Sequence, residues 1–148
     1  MSISSLHPAA VDLEFITDKP IDISKILKDA NHPGAGGIVL FCGEVRDNQE
    51  GKAVNYLVYE AHESMANKMI TDIIKTALQK WDLQYAFALH RIGKLEISDC
   101  AVAVITSHAH RKEAYAANQY IIDRIKHEAP VWKCEYFADG THEWGQNC

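Results

Sequence analysis

Hydrophobic and polar positions alternate along several short runs of this chain, a pattern typical of β-strands. These runs occupy residues 12–17, 37–45, 54–60, 84–92, 100–107 and 131–137. The run at 100–107 is nearly all apolar, so we expect it to be a central strand covered on both faces. Residues 47–52 are polar and include Gly51, which indicates a turn between two paired strands.

Three other segments show the three- and four-residue spacing of amphipathic helices. The longest are 64–81 and 111–128, and a shorter one covers 22–30 before Pro33 and Gly34 end it. The stripe of the first long helix consists of Ala66, Met69, Ile70, Ile73, Ile74, Ala77, Leu78 and Trp81. The stripe of the second consists of Ala114, Ala117 or Asn118, Ile121, Ile122 and Ile125. The element order β-α-ββ-α-ββ-α-β predicts an α+β domain with two long helices packed on a mixed or antiparallel sheet.

The composition narrows the class of protein. A chain of 148 residues is expected to form one domain, covering residues 1–148, with a substantial core. The formal net charge of −5 argues against a general nucleic-acid or membrane-surface binder, which would show a basic face. No apolar run approaches the roughly 20 residues that span a bilayer, and the first residues lack a signal-peptide pattern. We therefore expect a cytoplasmic protein whose four cysteines are reduced.

Cations are concentrated in the C-terminal third, around the second long helix. His110 and Arg111 stand where that helix should begin, and Lys126 stands in its last turn. A helix start offers free backbone N–H groups to anions, and an arginine can grip a phosphate with two hydrogen bonds. Pro130 should stop the helix, and Lys133 follows on an extended segment. Two lysines beside one chain reversal can converge on a pocket for a small anionic substrate.

Each of these residues also has a simpler explanation. Lys126 in a last helical turn complements the helix dipole, and Lys133 could be a solvated strand residue. Arg46 ends the run at 37–45 and could be exposed at the edge of a loop. His108 and His110 could share a metal, but no third ligand has a suitable spacing, so we expect no metal and no cofactor.

Two further motifs are weaker. The glycines at positions 34, 36 and 37 precede a strand, whereas a dinucleotide-binding loop follows a strand and opens a helix. A flexible turn is therefore expected there. Cys42 could serve as a thiol nucleophile, but a position within a strand offers neither a helix start nor an adjacent cation to activate it.

Four blocks together resemble the large, catalytic subunit of molybdopterin synthase, over roughly residues 10 to 144. In chain order they are Phe41-Cys-Gly-Glu-Val-Arg46, His90-Arg-Ile-Gly93, Ser107-His-Ala-His-Arg111 and Lys126-x-x-Ala-Pro-x-Trp-Lys133-x-Glu135. The segment Ala-Pro-x-Trp-Lys with an upstream lysine is the most specific of the four.

The resemblance implies an α/β-hammerhead-like α+β fold with a small extra β subdomain, and a homodimeric core within a heterotetramer. It implies a small ubiquitin-like sulfur-carrier subunit whose Gly-Gly tail ends in a thiocarboxylate. Two sulfurs would pass in turn to cyclic pyranopterin monophosphate, giving the dithiolene of molybdopterin. Carried over by motif, Lys126 and Lys133 correspond to catalytic lysines. Arg46, His110 and Arg111 correspond to substrate contacts, and Glu135 to part of the pocket wall.

Two other functions compete with this one. A non-catalytic module could bind a ubiquitin-like Gly-Gly tail without transferring sulfur, and the loss of one lysine would mark it. An unrelated phosphate-ester enzyme could use the same cations. Both lysines are present in this chain.

Overall fold

A computed structural model gives the fold of residues 14–147. The helices are α1 (Ile23–Asp29), α2 (Glu63–Trp81) and α3 (Arg111–Glu128). The strands are β1 (Ile16–Thr17), β2 (Gly37–Glu44), β3 (Asn48–Gln49), β4 (Lys52–Ala61), β5 (Tyr85–Arg91), β6 (Gly93–Glu96), β7 (Cys100–His108), β8 (Val131–Phe137) and β9 (His142–Gln146). No helix within this range is both long and apolar enough to cross a membrane.

The first sheet has the strand order β1-β5-β7-β2 and is mixed, because β1 runs parallel to β5 while the other pairs are antiparallel. Its central strand β7 is buried from Ala101 to Ser107, as expected for the apolar run. Both faces are covered. The main core joins Val102 and Val104 to the isoleucines of α2 and α3, whereas Ala103 and Ile105 pack with α1 in a smaller cluster.

The second sheet is antiparallel, with the order β3-β4-β8-β9 and with β6 also paired to β4. One face of β4 and β8 turns toward the main core through Leu57, Tyr59, Val131 and Phe137. The residues between them point to the other face, so alternate positions along β8 have different surroundings.

The predicted α+β class, the three helices and the bounds of α3 are confirmed. Four differences concern short strands. The run predicted at 12–17 lies partly outside the described residues, and only β1 is seen within it. The turn predicted at 47–52 contains β3, which closes a tight hairpin through Glu50 and Gly51 at positive φ. Neither β6 nor β9 was predicted, since both are short and polar and form only by pairing with a longer strand.

The glycines before β2 do form a turn, but Gly36 is held rather than flexible. Its N–H donates to the His108 carbonyl at 3.0 Å. A Cβ at this position would lie 2.3 Å from the Ala109 carbonyl oxygen. The residue is therefore required by the close approach of two backbone segments.

Asn118 is a buried polar residue on the inner face of α3. Its side-chain nitrogen donates to the carbonyls of Val39 and Val104, each at 3.0 Å, and the residue is 4% exposed. The amide thus links the helix to two neighbouring strands, β2 and β7, and fixes the helix over them.

Replacing Asn118 with Ala should lower the free energy of unfolding by about 1–3 kcal/mol, because two carbonyls lose a buried donor. Urea denaturation followed by circular dichroism measures this change. Gln79→Ala removes an exposed amide on α2 and should stay within about 0.5 kcal/mol of the wild type. Equal stability of the two variants would contradict a role of Asn118 in anchoring α3.

Candidate active site

Arg46, Lys126, Lys133 and Glu135 line one cavity of about 160 Å³, which we call the cation pocket. Its remaining lining residues are Glu44, Val45, Asn48, Gln49, Leu57 and Tyr59. Four of the six residues assigned from the sequence are therefore brought together within one chain. They come from the end of β2, the end of α3 and the middle of β8, which are distant in sequence.

The two lysines meet because α3 and β8 are joined at a sharp reversal. Ala129 caps α3 in an extended conformation, its N–H donating to the Ile125 carbonyl, and β8 begins two residues later. Pairing with β4 then sets Lys133 opposite Tyr59, and Glu135 opposite Leu57. Lys133 and Glu135 share the face of β8 that carries the buried Val131 and Phe137. Both side chains are therefore half-buried at the pocket wall.

The pocket combines three cations with two carboxylates. Arg46 is oriented by a hydrogen bond of 2.9 Å from its guanidinium to the Gln49 side-chain oxygen. Burial, and secondarily the charge of Glu135, raises the pKa of Tyr59 to about 12. The Tyr59 hydroxyl therefore stays protonated at neutral pH and can donate a hydrogen bond. An anion in this pocket would meet positive charge beside half-buried side chains, where electrostatic attraction is stronger than in bulk solvent.

The cation pocket is smaller than most ligand sites, which usually measure roughly 300–1,000 Å³. A second cavity of about 790 Å³, here called the α3–β2 groove, shares Lys126 with it. The groove runs between Val39, Leu40 and Phe41 on β2 and the side of α3 that carries Tyr115 and Ile122. The outer edge of β2 has no strand partner among the described residues.

His110 and Arg111 lie elsewhere in the chain. His110 is the N-cap residue of α3 and Arg111 begins the helix, as expected, but both are exposed and neither lines the cation pocket. Arg111 and Lys126 are fifteen positions apart on one helix, which corresponds to about 22 Å. The two groups of cations thus lie at opposite ends of α3.

The alternatives involving histidine and cysteine gain no support from the geometry. His108 accepts a hydrogen bond from the His110 N–H at 2.9 Å and faces Glu113 at 3.9 Å. Residues 14–147 contain no group of three or more His, Cys, Asp or Glu side chains arranged for a metal ion. Burial raises the pKa of the Cys42 thiol, which opposes a role as nucleophile.

Two residues beside the site were not singled out as functional by the sequence. Asn147 is 2% exposed, and its side-chain oxygen accepts a hydrogen bond from the Lys126 ammonium at 2.7 Å. The Asn147 side-chain nitrogen lies 2.7 Å from Nε2 of His90, which is fully buried. His90 belongs to one of the four sequence blocks, but nothing local connects it to a residue 57 positions away. Only the return of β9 along β8 brings Asn147 to the end of α3.

The family model described as MoaE protein matches residues 16–128, which include most of the site and both ends of α3. The chain belongs to the MoaE protein family. This finding confirms the resemblance inferred from the four sequence blocks.

Curated relatives of this MoaE-family chain are named molybdopterin synthase catalytic subunit. The one from Halalkalibacterium halodurans is 42% identical over 125 residues, covering 84% of this chain and 80% of the relative. The one from Bacillus subtilis is 43% identical over 129 residues, covering 87% and 82%. Among solved structures, the crystal structure of molybdopterin synthase from Staphylococcus aureus matches with a TM-score of 0.84 and 38% identity. That match covers 89% of this chain and 96% of the other.

The buried His90 makes the stability of the protein depend on pH. Burial, and secondarily the positive charge of Lys126, lowers the pKa of His90 from 6.5 to about 4. The unfolded chain therefore binds a proton between pH 6.5 and 4 that the folded protein does not bind. As the pH falls from 6.5 to 4, the free energy of unfolding should decrease by roughly 3 kcal/mol because of His90 alone.

We expect His90→Gln to show a shallower loss of stability between pH 7 and 4 than the wild type. Urea denaturation at several pH values in this range gives the slope, and the difference between the two proteins isolates His90 from other titrating groups. His142→Gln removes an exposed imidazole and serves as the control, which should follow the wild type. Parallel slopes for all three proteins would show that His90 is not held neutral.

Proposed function

We propose that this protein is the catalytic subunit of a molybdopterin synthase. In this role it transfers sulfur from the C-terminal thiocarboxylate of a small ubiquitin-like carrier subunit to cyclic pyranopterin monophosphate. The observation that carries the proposal is the convergence of Lys126, Lys133 and Arg46 on one pocket in a chain of the MoaE family. The name of the relatives, catalytic subunit, fits an enzyme with a second component.

The chemistry needs positive charge at two places. The carrier tail arrives as an anion, and the substrate carries a phosphate. In each transfer a carrier sulfur bonds to a substrate carbon and displaces an oxygen from it, which leaves as water from one carbon and as the opened ester oxygen of the cyclic phosphate from the other. The acyl carbon–sulfur bond then breaks on attack by water or by a lysine amine. When water completes the reaction, directly or by releasing the lysine, the sulfur remains on the substrate and the carrier leaves as a carboxylate. Two such transfers make the dithiolene, and no electrons are gained or lost.

The pocket residues can divide these tasks. The Lys126 ammonium can polarise the acyl carbonyl, or its neutral amine can hold the acyl group transiently. Lys133, from the neighbouring strand, can orient the substrate or give it a proton. Arg46 at the outer rim can bind phosphate, and Glu135 opposite Leu57 forms part of the wall. These roles rest on the placement of the side chains around the cavity and on the family motif.

A homodimer would reconcile the small pocket with the remote position of His110 and Arg111. A two-fold axis crossing α3 near its middle would bring the start of one α3 to the end of the other. The α3–β2 groove and the unpaired edge of β2 offer a surface for this contact. We therefore propose that His110 and Arg111 contribute to the partner subunit's cation pocket, where they would add to its phosphate contacts.

A cytoplasmic location is also part of the proposal. The thiols of Cys42, Cys100 and Cys134 are free, which is the state that a reducing compartment maintains.

Replacing Lys126 with Ala should nearly abolish dithiolene formation and leave the fold intact, because the residue is half-buried at a helix end and the change removes a hydrogen bond to Asn147 but no apolar core side chain. A sulfur-transfer assay with thiocarboxylated carrier and the pterin precursor measures this effect. Lys112→Ala, at an exposed position on the same helix, is the matched control and should keep wild-type activity. A fully active Lys126→Ala protein would remove the catalytic assignment.

Arg111→Ala should raise the apparent KM for the precursor more than it lowers kcat, because a contact to the phosphoryl oxygens that is already made in the bound substrate contributes mainly uniform binding. Loss of one charge-assisted contact typically costs about 1.5–3 kcal/mol, or roughly 10- to 150-fold in affinity. Inorganic phosphate should compete with the precursor, and more weakly in the variant.

Mixing subunits tests the two-fold arrangement directly. Arg111→Ala and Lys126→Ala proteins, unfolded and refolded together, should recover about a quarter of wild-type activity at low precursor concentration. Half of the dimers would then be mixed, and each would hold one intact site. Activity that is no higher than that of the separate variants would show that Arg111 and Lys126 of one subunit serve the same site, or that Arg111 belongs to no site.

A further inference from the structure

A chain of three hydrogen bonds leads from the backbone of β5 to the Lys126 ammonium. Nδ1 of His90 lies 2.8 Å from the Arg91 carbonyl oxygen. Nε2 of His90 lies 2.7 Å from the Asn147 side-chain nitrogen, and the Asn147 side-chain oxygen lies 2.7 Å from Lys126 Nζ. Both intermediate residues are buried, His90 completely and Asn147 to within 2%. We call these contacts the His90–Asn147 relay.

The direction of every hydrogen bond in the relay is determined by the carbonyl at its start. A carbonyl oxygen only accepts, so Nδ1 of His90 must carry the ring proton. A neutral imidazole then leaves Nε2 as an acceptor, and the NH₂ group of Asn147 must point toward it. The amide oxygen of Asn147 consequently points at Lys126. The opposite amide orientation would place the Asn147 N–H groups against the Lys126 ammonium, which pairs two donors. It would also place the amide oxygen against Nε2 of His90, which pairs two acceptors.

The surroundings of His90 keep the ring in this state. The edge of Tyr59 packs against it with ring centroids 4.9 Å apart, and the positive charge of Lys126 lies beyond Asn147. Carboxylates, such as Glu135 and Glu44, face the cation pocket rather than the imidazole. Burial and the Lys126 charge both lower the pKa of His90, so the imidazole remains neutral through the physiological range.

We propose that His90 and Asn147 are positioning residues that hold the Lys126 amine at the wall of the cation pocket. Neither residue lines that pocket, so neither touches the reacting atoms. A lysine has a long flexible side chain, and a fixed acceptor at 2.7 Å restricts where its nitrogen lies. The importance of the relay for catalysis rests on the proposed function, whereas the hydrogen-bond directions do not.

The first test concerns the tautomer and needs no activity. Long-range ¹H–¹⁵N spectra of the uniformly labelled full chain should show His90 neutral, with the proton on Nδ1, from pH 7 down to pH 5. Asn147→Ala should shift the Nε2 resonance of His90 because it removes the donor. A proton on Nε2, or a charged His90 at pH 6, would overturn the relay.

The second test measures sulfur transfer over a range of precursor concentrations at saturating carrier. Asn147→Ala should lower kcat by roughly 10- to 100-fold with little change in KM, since a misplaced catalytic group costs rate rather than binding. Gln146→Ala, the exposed neighbour on β9, should keep wild-type values. His90→Leu should resemble Asn147→Ala, and His90→Gln should recover part of the rate because its amide can still accept near the position of Nε2.

The outcomes separate the relay from the proposed function. If the wild type transfers sulfur and Lys126→Ala does not, unchanged kcat in folded Asn147→Ala overturns the relay alone. A higher kcat in Asn147→Ala would also overturn it, by showing that Asn147 restrains Lys126 unproductively. If His90→Leu does not fold, the kcat of Asn147→Ala and the tautomer spectra together decide whether the relay positions Lys126. If the wild type transfers no sulfur, the proposed function fails, and the spectra still judge the hydrogen bonds.

Discussion

The reversal between α3 and β8 is the constraint on which the site depends. Its tightness comes from Pro130, which cannot continue the helix, and from the pairing of β8 with β4, which begins at Val131. Any longer connection would let Lys126 and Lys133 separate, as two like charges tend to do. The packing of α3 on the first sheet and the register of the second sheet therefore act together. Each fixes one lysine, and the short connection fixes the distance between them.

Holding three cations together requires compensation, which the fold supplies through the carboxylates of Glu44 and Glu135 and through neutral dipoles. Asn147 presents an oxygen to Lys126, Gln49 presents one to Arg46, and Tyr59 remains a protonated hydroxyl. Neutral acceptors hold a charged side chain in place without cancelling its charge. The site can then attract an anionic substrate, whereas a full set of tight ion pairs would leave little net charge for it.

The sequence predicted the elements whose signals are local. The structure confirms both predicted ends of α3, at Arg111 and just before Pro130. The signals for these ends are an apolar stripe, a strand before the helix and a proline after it, and all of them lie close together in the sequence. The strand β9 could not be predicted in this way, since residues 142–146 are exposed and gain their conformation from β8. The contacts of His90 were hidden for the same reason. Four of the six residues assigned to the site meet in one pocket, while His110 and Arg111 lie at the other end of the helix, a separation that a linear pattern of cations cannot reveal.

The strand β9 has an effect out of proportion to its small contribution to the core. It lies at the edge of its sheet, exposed throughout, yet the residue that follows it is buried against α3. Edge strands of this kind open locally far more often than the whole protein unfolds. Fraying of β9 would release Asn147 from Lys126 without unfolding the core. Two variants with the same melting temperature can therefore differ in specific activity, and amide exchange in β9 would distinguish them.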